Sequence, residues 1–348
     1  MHRVHCTFWD GKELEFTCAP DEDVITAALR QNIILLSYCR KGICATCKAR
    51  VRDGNFAMST VTVQALSPAE EEEGLVLLCR TSPQSDLEVE FEYDSDRVTI
   101  PEIGRAEVVA VHPISLSGAV YRLVLKGRRV GIFTWNPGQY IAIRRPNSEE
   151  WRMFSMANTP NLQNTLEFLI RLIPGGVFSS YVQNEAKPGD VLDIKGPFGA
   201  FFYRQSDHPP VFIAGSTGLA PNLAMLRQLG DALSDQRMRL FFGITNTGDL
   251  FCAEELHALT QQLPHFACHI ACVNADASWQ HETGFVTDSF LKQMEGEDFT
   301  AYDYYLCGPP PMIEAVALIL YEKGVDSYQI FREEFVASGF TDDGSHAA

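Results

Sequence analysis

The amino-acid sequence predicts three domains in series: an α+β domain, an antiparallel β-barrel, and an α/β domain with a doubly wound parallel sheet. Three observations predict it. Up to about residue 97, alternating apolar segments surround one amphipathic stretch and a cysteine-rich loop. From 106 to 204 the chain is a run of short alternating segments and turns with a single helical stretch, as in an antiparallel barrel. From Pro209 strand and helix alternate, which needs crossover connections and hence a parallel sheet covered on both faces. At roughly 150 residues per domain, 348 residues accommodate this division into 1–97, 98–204 and 205–348.

In the first domain, Val4, Cys6 and Phe8 alternate, Asp10-Gly11 turns, and Leu14, Phe16 and Cys18 alternate again, which is a β-hairpin. Pro20-Asp21 then leads into a helix with Val24, Ala27, Ala28 and Gln31 along one side. Residues 48–52 and 87–91 alternate as strands. In the second domain, strands are expected at 108–111, 120–125, 140–143 and 166–170, with a helix after Pro174-Gly175-Gly176. In the third, strands are expected at 211–214, 239–243, 266–273 and 304–307, and helices at 220–233, 253–262 and 312–323.

Composition narrows the function. There are 45 acidic against 28 basic residues, a net charge of −17, which excludes a general nucleic-acid binder. The start of the chain has no basic stretch followed by an apolar one, so no export leader is expected. No apolar run nears the roughly 20 residues of a membrane span. Ten cysteines without an export signal point to a reducing compartment, the cytoplasm, and so to metal ligation or catalysis rather than disulfides.

The cysteines divide unequally. Cys39, Cys44 and Cys47 are spaced C-x4-C-x2-C, and Cys79 follows after 31 intervening residues. This is the plant-type [2Fe–2S] spacing: four thiolates enclose two irons, three from one tight loop and one from a neighbouring segment. Gly42 lets the loop backbone approach the inorganic sulfides. A zinc site would pair two short C-x2-C knuckles instead. Cys6 and Cys18 read as packing residues. Cys268 and Cys272, near His265 and His269, lie in an apolar strand and read the same way. Glu254 and His257 make a single E-x-x-H, whereas a carboxylate di-iron site needs two.

Two further segments carry cofactor chemistry. A flavin needs a cation for its diphosphate, an aromatic plane near its ring and a hydroxyl near N5; Arg152, Phe154 and Ser155 supply one of each. Gly175-Gly176 opens a helix that includes Ser179, and such a helix start offers free N–H groups to a diphosphate. The turn Gly215-Ser216-Thr217-Gly218-Leu219-Ala220-Pro221 follows a strand and precedes a helix, as a phosphate-binding turn should. Cys307-Gly308-Pro309 ends a later strand, and strand ends are where open α/β sheets bind ligands. Residues 243–250 hold no Lys or Arg for a 2′-phosphate and include Asp249, which favours NADH over NADPH.

These segments resemble known families. The loop from Cys39 to Cys47 is similar to the cluster loop of plant-type ferredoxins, whose fold is the β-grasp. Arg152-Met153-Phe154-Ser155, the Gly215 turn and Cys307-Gly308-Pro309-Pro310-Pro311-Met312 resemble the ferredoxin-NADP reductase superfamily. Phe154 departs from the tyrosine usual there, which keeps the ring and loses a hydroxyl. Lys195-Gly196-Pro197-Phe198-Gly199 resembles the end of such a barrel. Glu333-Glu334-Phe335 resembles that superfamily's Glu-x-aromatic, which implies that Glu333 and Phe335 lie near the flavin ring and Cys307 beside nicotinamide C4. Ser155, Cys307 and Glu333 are thus the expected hydride-transfer residues, in an electron path from NADH through FAD to the cluster.

The whole chain resembles the reductase components of multicomponent oxygenases, and 21–32 and 63–81 are most similar to the soluble methane monooxygenase type. That resemblance implies transient docking through the ferredoxin domain onto a di-iron hydroxylase, by a monomer. A Rieske-type aromatic dioxygenase is the alternative partner. Arg40, Lys41, Lys48, Arg50 and Arg52 surround the cluster loop, either to meet an acidic patch on a partner, or to offset the cluster's negative charge, or simply as solvated side chains. A stand-alone electron carrier is disfavoured by the flavin and nicotinamide motifs. An oxygenase is disfavoured by the absence of a Rieske Cys-x-His pair and of a second E-x-x-H.

Overall fold

The computed structural model describes residues 1–37, 40–43, 45–63, 65–128 and 134–335. They form two compact units, one built on Met1–Pro101 and the other on Glu102–Pro197 and the chain from Phe201 on.

In the first unit, β1 (His2–Thr7) and β2 (Glu13–Cys18) make the predicted hairpin, with Val4 opposite Phe16 and Cys6 opposite Leu14. Helix α1 (Val24–Arg30) starts where the Asp23 carboxylate accepts the Thr26 N–H at 3.0 Å. It buries Val24, Ala27 and Ala28 in the same core as Cys6 and Cys18, which are indeed packing residues. There follow β3 (Lys48–Asp53), β4 (Phe56–Met58), α2 (Pro68–Glu72), β5 (Leu75–Leu77), β6 (Thr81–Pro83) and β7 (Leu87–Glu90). The main sheet runs β2-β1-β7-β3-β5, with β7 parallel to β1 and the other pairs antiparallel. A mixed sheet with one helix sharing its core is the β-grasp arrangement.

The second unit has two halves. Strands β8 (Glu102–Pro113), β9 (Val120–Gly127), β10 (Tyr140–Arg144), β11 (Trp151–Ser155), β12 (Thr165–Arg171) and β13 (Val191–Phe198) form a sheet in the order β11-β10-β13-β8-β9-β12. A bridge between Met156 and Phe168 joins its two ends, so the sheet is a nearly closed barrel. Helix α3 (Val177–Asn184) packs Phe178, Tyr181 and Val182 into the barrel core.

The other half contains β14 (Pro210–Gly215), α4 (Leu219–Asp231), β15 (Met238–Asn246), α5 (Ala253–Gln262), β16 (Phe266–Asn274), β17 (Glu282–Thr283), α6 (Val286–Gln293), β18 (Asp303–Gly308), α7 (Pro310–Glu322) and β19 (Ile330–Glu334). All strands are parallel, in the order β17-β16-β15-β14-β18-β19. Both faces are covered: Phe212 and Ala214 face one core, Val211 and Ile213 the other. The chain winds outward from β14 and then returns to β18, so the switch in direction falls between β14 and β18. That is where such sheets bind ligands. Helix α6 and strand β19 were not anticipated from the sequence.

Candidate functional site

The two halves of the second unit supply the candidate site. At the switch point the backbone of β14 ends in Gly215, and three glycines interlock there. A Cβ on Gly218 would fall 2.2 Å from the Cys307 carbonyl oxygen. One on Gly215 would fall 2.6 Å from Met312 Sδ and 2.8 Å from Pro309. Gly308 sits at φ +151°, with its would-be Cβ 2.9 Å from the Gly215 nitrogen. The Gly215–Gly218 turn and the Cys307-Gly308-Pro309 corner are therefore one packed object that only glycine permits. Thr217, Ala220 and Pro221 are buried within it, and α4 begins at Leu219.

Register then brings the remaining nicotinamide-side residues together. Cys307 pairs with Ala214 on one side and with Glu333 on the other. The Phe335 N–H donates to the Gly308 carbonyl at 3.1 Å. Cys307 is fully buried, and burial followed by the Glu333 charge pushes its thiol pKa well up. The Glu333 side chain keeps some surface but is enclosed by protein. Burial first, and the Glu334 charge second, push its carboxyl up to about 8.

On the barrel, Arg152, Phe154 and Ser155 lie along β11, with Ser155 opposite Tyr140 and buried. Arg152 donates to Glu150 at 2.8 Å and to the Trp151 carbonyl at 3.0 Å. The Phe154 ring lies 4.9 Å from Phe178, so strand β11 meets the start of α3. Gly176 caps that helix without a side-chain bond, and Ser179 Oγ accepts the Ile173 N–H at 2.9 Å. Gly175 has open space around it at φ +75°, whereas a side chain on Gly176 would lie 3.1 Å from the Ile173 carbonyl. An open helix start beside an arginine-bearing strand fits a flavin diphosphate.

In the first unit, Cys39 and Cys44 lie outside the described residues. Cys47 and Cys79 are buried and adjacent, since the Leu78 N–H donates to the Cys47 carbonyl at 3.1 Å. Arg40, Gly42 and Ala45 all have φ between +52° and +75°, which curls the loop, and a Cβ on Gly42 would lie 3.0 Å from the Arg80 stem. Arg80 Nε is buried without a hydrogen-bond partner among the described residues. A curled loop, two buried thiols and an orphaned cationic donor fit an anionic iron–sulfur cluster.

Lys48 bonds Glu70 at 2.6 Å, Arg50 pairs with Glu73 and Glu92, and Arg52 pairs with Glu90, so three of the five loop cations already have acidic partners; Arg40 and Lys41 are exposed. Asp249 is buried and accepts from Ser117 at 2.7 Å and Asn246 at 3.3 Å, and it pairs with Arg171 at 3.5 Å. Burial alone would raise its carboxyl, but Ser117 and Arg171 more than offset this and hold it below its ordinary value. Arg171 also donates to Ser216 Oγ at 3.4 Å, which brings a cation to the turn from a strand 45 residues earlier.

Comparison with known proteins agrees with this layout. The 2Fe-2S iron-sulfur cluster binding domain matches residues 7–84, the oxidoreductase FAD-binding domain 105–203 and the oxidoreductase NAD-binding domain 212–317. Methane monooxygenase component C of Methylosinus trichosporium is 41% identical over 307 residues, covering 85% of this chain and 87% of its own. The reductase component of propane 2-monooxygenase from Mycolicibacterium goodii is 35% identical, covering 98% and 99%. The electron transfer component of anthranilate 1,2-dioxygenase from Acinetobacter baylyi is 33% identical, covering 97% and 98%. Among solved structures, a cytochrome P450 reductase from Amycolatopsis superposes with a TM-score of 0.69 at 26% identity, covering 95% and 98%. No helix among the described residues is long and apolar enough to cross a membrane.

Proposed function

Because the chain belongs to the family of oxygenase reductase components that join [2Fe–2S], FAD-binding and NAD-binding domains, we propose that it takes electrons from NADH and delivers them to the di-iron hydroxylase of a soluble methane or hydrocarbon monooxygenase. The observation that carries the reading is the interlocked Gly215–Gly218 turn and Cys307–Gly308 corner at the switch point, with Glu333 in register beside Cys307. When bound, the flavin exchanges a hydride with the nicotinamide and single electrons with the cluster.

The chain's own residues divide the remaining work. Arg152 and the Gly175-Gly176 helix start hold the flavin diphosphate, and Ser155 offers its hydroxyl near the ring. The turn from Gly215 to Pro221 takes the dinucleotide diphosphate on the head of α4. Cys307 stays a neutral thiol because it is buried. Glu333 stays protonated at neutral pH and can donate a hydrogen bond toward the flavin–nicotinamide face. Phe335 closes the same face. Cys39, Cys44, Cys47 and Cys79 hold the cluster. NADH is preferred because 243–250 lacks a cation for a 2′-phosphate. Residues 1–97, 98–204 and 205–348 act as the three functional domains of a cytoplasmic monomer, and the first docks transiently on the hydroxylase.

Methane-type specificity, and with it a place in one-carbon metabolism, is supported by the 41% identity to a methane monooxygenase component. A Rieske-type dioxygenase partner is the second reading, supported by a dioxygenase relative that spans 97% of this chain. The test is anaerobic titration of the loaded protein with NADH, then mixing with purified di-iron hydroxylase or Rieske oxygenase. NADH should bleach both flavin and cluster, and the reduced protein should reduce the di-iron hydroxylase faster. Faster reduction of the Rieske protein would reverse the assignment, and no bleaching would overturn the reading altogether.

A further inference from the structure

Arg122, Arg171 and Arg227 link the two cofactor-bearing halves of the second unit, and Arg227 does so from the α/β side with three bonds. Arg227 lies on α4, the helix headed by the Gly215–Gly218 turn. Its Nη1 donates to the Ala157 carbonyl at 2.8 Å and to Glu167 at 3.1 Å, and its Nη2 donates to Glu255 at 3.2 Å. Ala157 is two residues beyond Ser155 on the barrel. Glu255, on α5, also accepts from Arg122 Nη2 at 2.6 Å, and Arg122 Nε pairs with Glu167 at 3.3 Å. The four charges thus close into a ring, two from the barrel strands β9 and β12 and two from the helices α4 and α5. Every member is more than half buried, the most exposed being Glu255 at 32%. Around it Val120, Ala157 and Leu169 of the barrel share one core with Leu223 and Leu226 of α4.

Hydride transfer tolerates little misplacement, since the reacting atoms must lie about 3–3.5 Å apart and an error of about 1 Å costs on the order of a hundredfold. Ser155 and the dinucleotide turn belong to different halves, so some contact must set their separation. The Arg227 guanidinium spans that gap. Its planar fork can serve three acceptors at once, which a lysine ammonium cannot do in the same geometry.

We propose that Arg227 is a positioning residue for the nicotinamide–flavin reaction, holding α4 and the turn at its head in register with the Ser155 strand. The proposal rests on the function inferred above. Arg227 acts through Ala157, Glu167 and Glu255.

The test compares Arg227→Lys and Arg227→Met with the parent as flavin- and cluster-loaded protein. Stopped-flow bleaching of the flavin against NADH concentration separates the limiting rate from the apparent dissociation constant. Hydrogen exchange of the Gly215–Ala220 amides without nucleotide reads the turn directly. The limiting rate should fall about tenfold in Arg227→Lys and about a hundredfold in Arg227→Met. NADH affinity should change by less than about twofold, and exchange at the turn should accelerate in the same order. A full limiting rate in Arg227→Lys with unaltered exchange would overturn the proposal, whatever happens to thermal stability. So would a loss confined to NADH affinity. A parent protein that NADH does not bleach would defeat the functional reading instead, and the exchange arm would still decide whether Arg227 holds the turn.

Discussion

The seam between barrel and α/β sheet and the rim of the cluster loop both carry dense charge, but they use it differently. At the rim, Lys48, Arg50 and Arg52 alternate along one strand and meet Glu70, Glu73, Glu92 and Glu90 at or near the surface. At the seam, Arg122, Glu167, Arg227 and Glu255 come from four separate elements and close a ring over a shared apolar core. Exposed pairs contribute about 0–1 kcal/mol each because water screens them. A half-buried network of three hydrogen-bonded edges and one ion pair is stiffer, and removing one member leaves the others desolvated and incompletely paired. The rim can therefore exchange its partners, while the seam holds a fixed geometry.

The largest expected effect probes how tightly the seam side is built. Gly218→Ala places a methyl 2.2 Å from the Cys307 carbonyl, and backbone cannot yield as a side-chain tip can. The change should cost about 3 kcal/mol or more and abolish NADH-driven flavin bleaching. Gly11→Ala in the first unit is the control. Nothing lies within 4 Å of it, so only its φ of +73° matters, at about 1 kcal/mol. Thermal melts of both variants check the pair, and equal losses would mean that the interlock is not tight.

Next comes Glu255→Gln, which removes one of the two charges that both seam arginines share. A loss of about 2 kcal/mol is expected, less than for a fully buried pair because Glu255 keeps some exposure. Its carboxyl would be raised by burial alone, but the Arg122 hydrogen bond and the charges of Arg122 and Arg227 hold it below its ordinary value. The sign follows: this stabilisation is present above about pH 4.5 and is lost as pH falls through the lowered native value. Denaturant melts of parent and Glu255→Gln should therefore converge on acidification.

The contrast between rim and seam also explains what sequence could show. The glycine turn, the Cys307 corner and the plant-type cysteine spacing are contiguous, so they could be read as strings. Helix α5 was expected at its observed limits because its i, i+3 pattern is intact. Helix α6 was missed although Val286, Phe290 and Met294 recur every four residues, a signal that could have found it. Strand β19 was missed because it lies at the sheet edge and three of its five residues are charged. The seam ring was illegible for a different reason: Arg122 and Glu255 are 133 residues apart, and no local pattern marks either. The rim misled in the opposite direction, since its alternating cations look available until the fold brings Glu70 and Glu90 to them.

A smaller effect belongs to Glu333. Its carboxyl is pushed up to about 8, mainly by burial. The fold favours the neutral form, so the Glu333 contribution to stability is fully present below about pH 4.5 and declines as pH rises through 8. The limiting rate of flavin bleaching should carry an inflection near pH 8, and Glu333→Gln should remove it while changing the rate at pH 7 only a few-fold. An inflection that survives in Glu333→Gln assigns it to another group.

The smallest effect is at the rim. The Lys48 hydrogen bond, then the Ser67 N–H, hold the Glu70 carboxyl down at about 2. Glu70 is about a third exposed, so solvent screening limits the pair to at most about 1 kcal/mol. A depressed carboxyl contributes stability above about pH 4.5 that disappears as pH falls toward 2. Lys48→Met should therefore cost at most about 1 kcal/mol in the opening free energy of β3 at pH 7, measured by hydrogen exchange of its amides, and clearly less at pH 2.5, as Glu70 nears its lowered native pKa. A cost above about 2 kcal/mol, or one undiminished at pH 2.5, would show the rim to be as rigidly built as the seam.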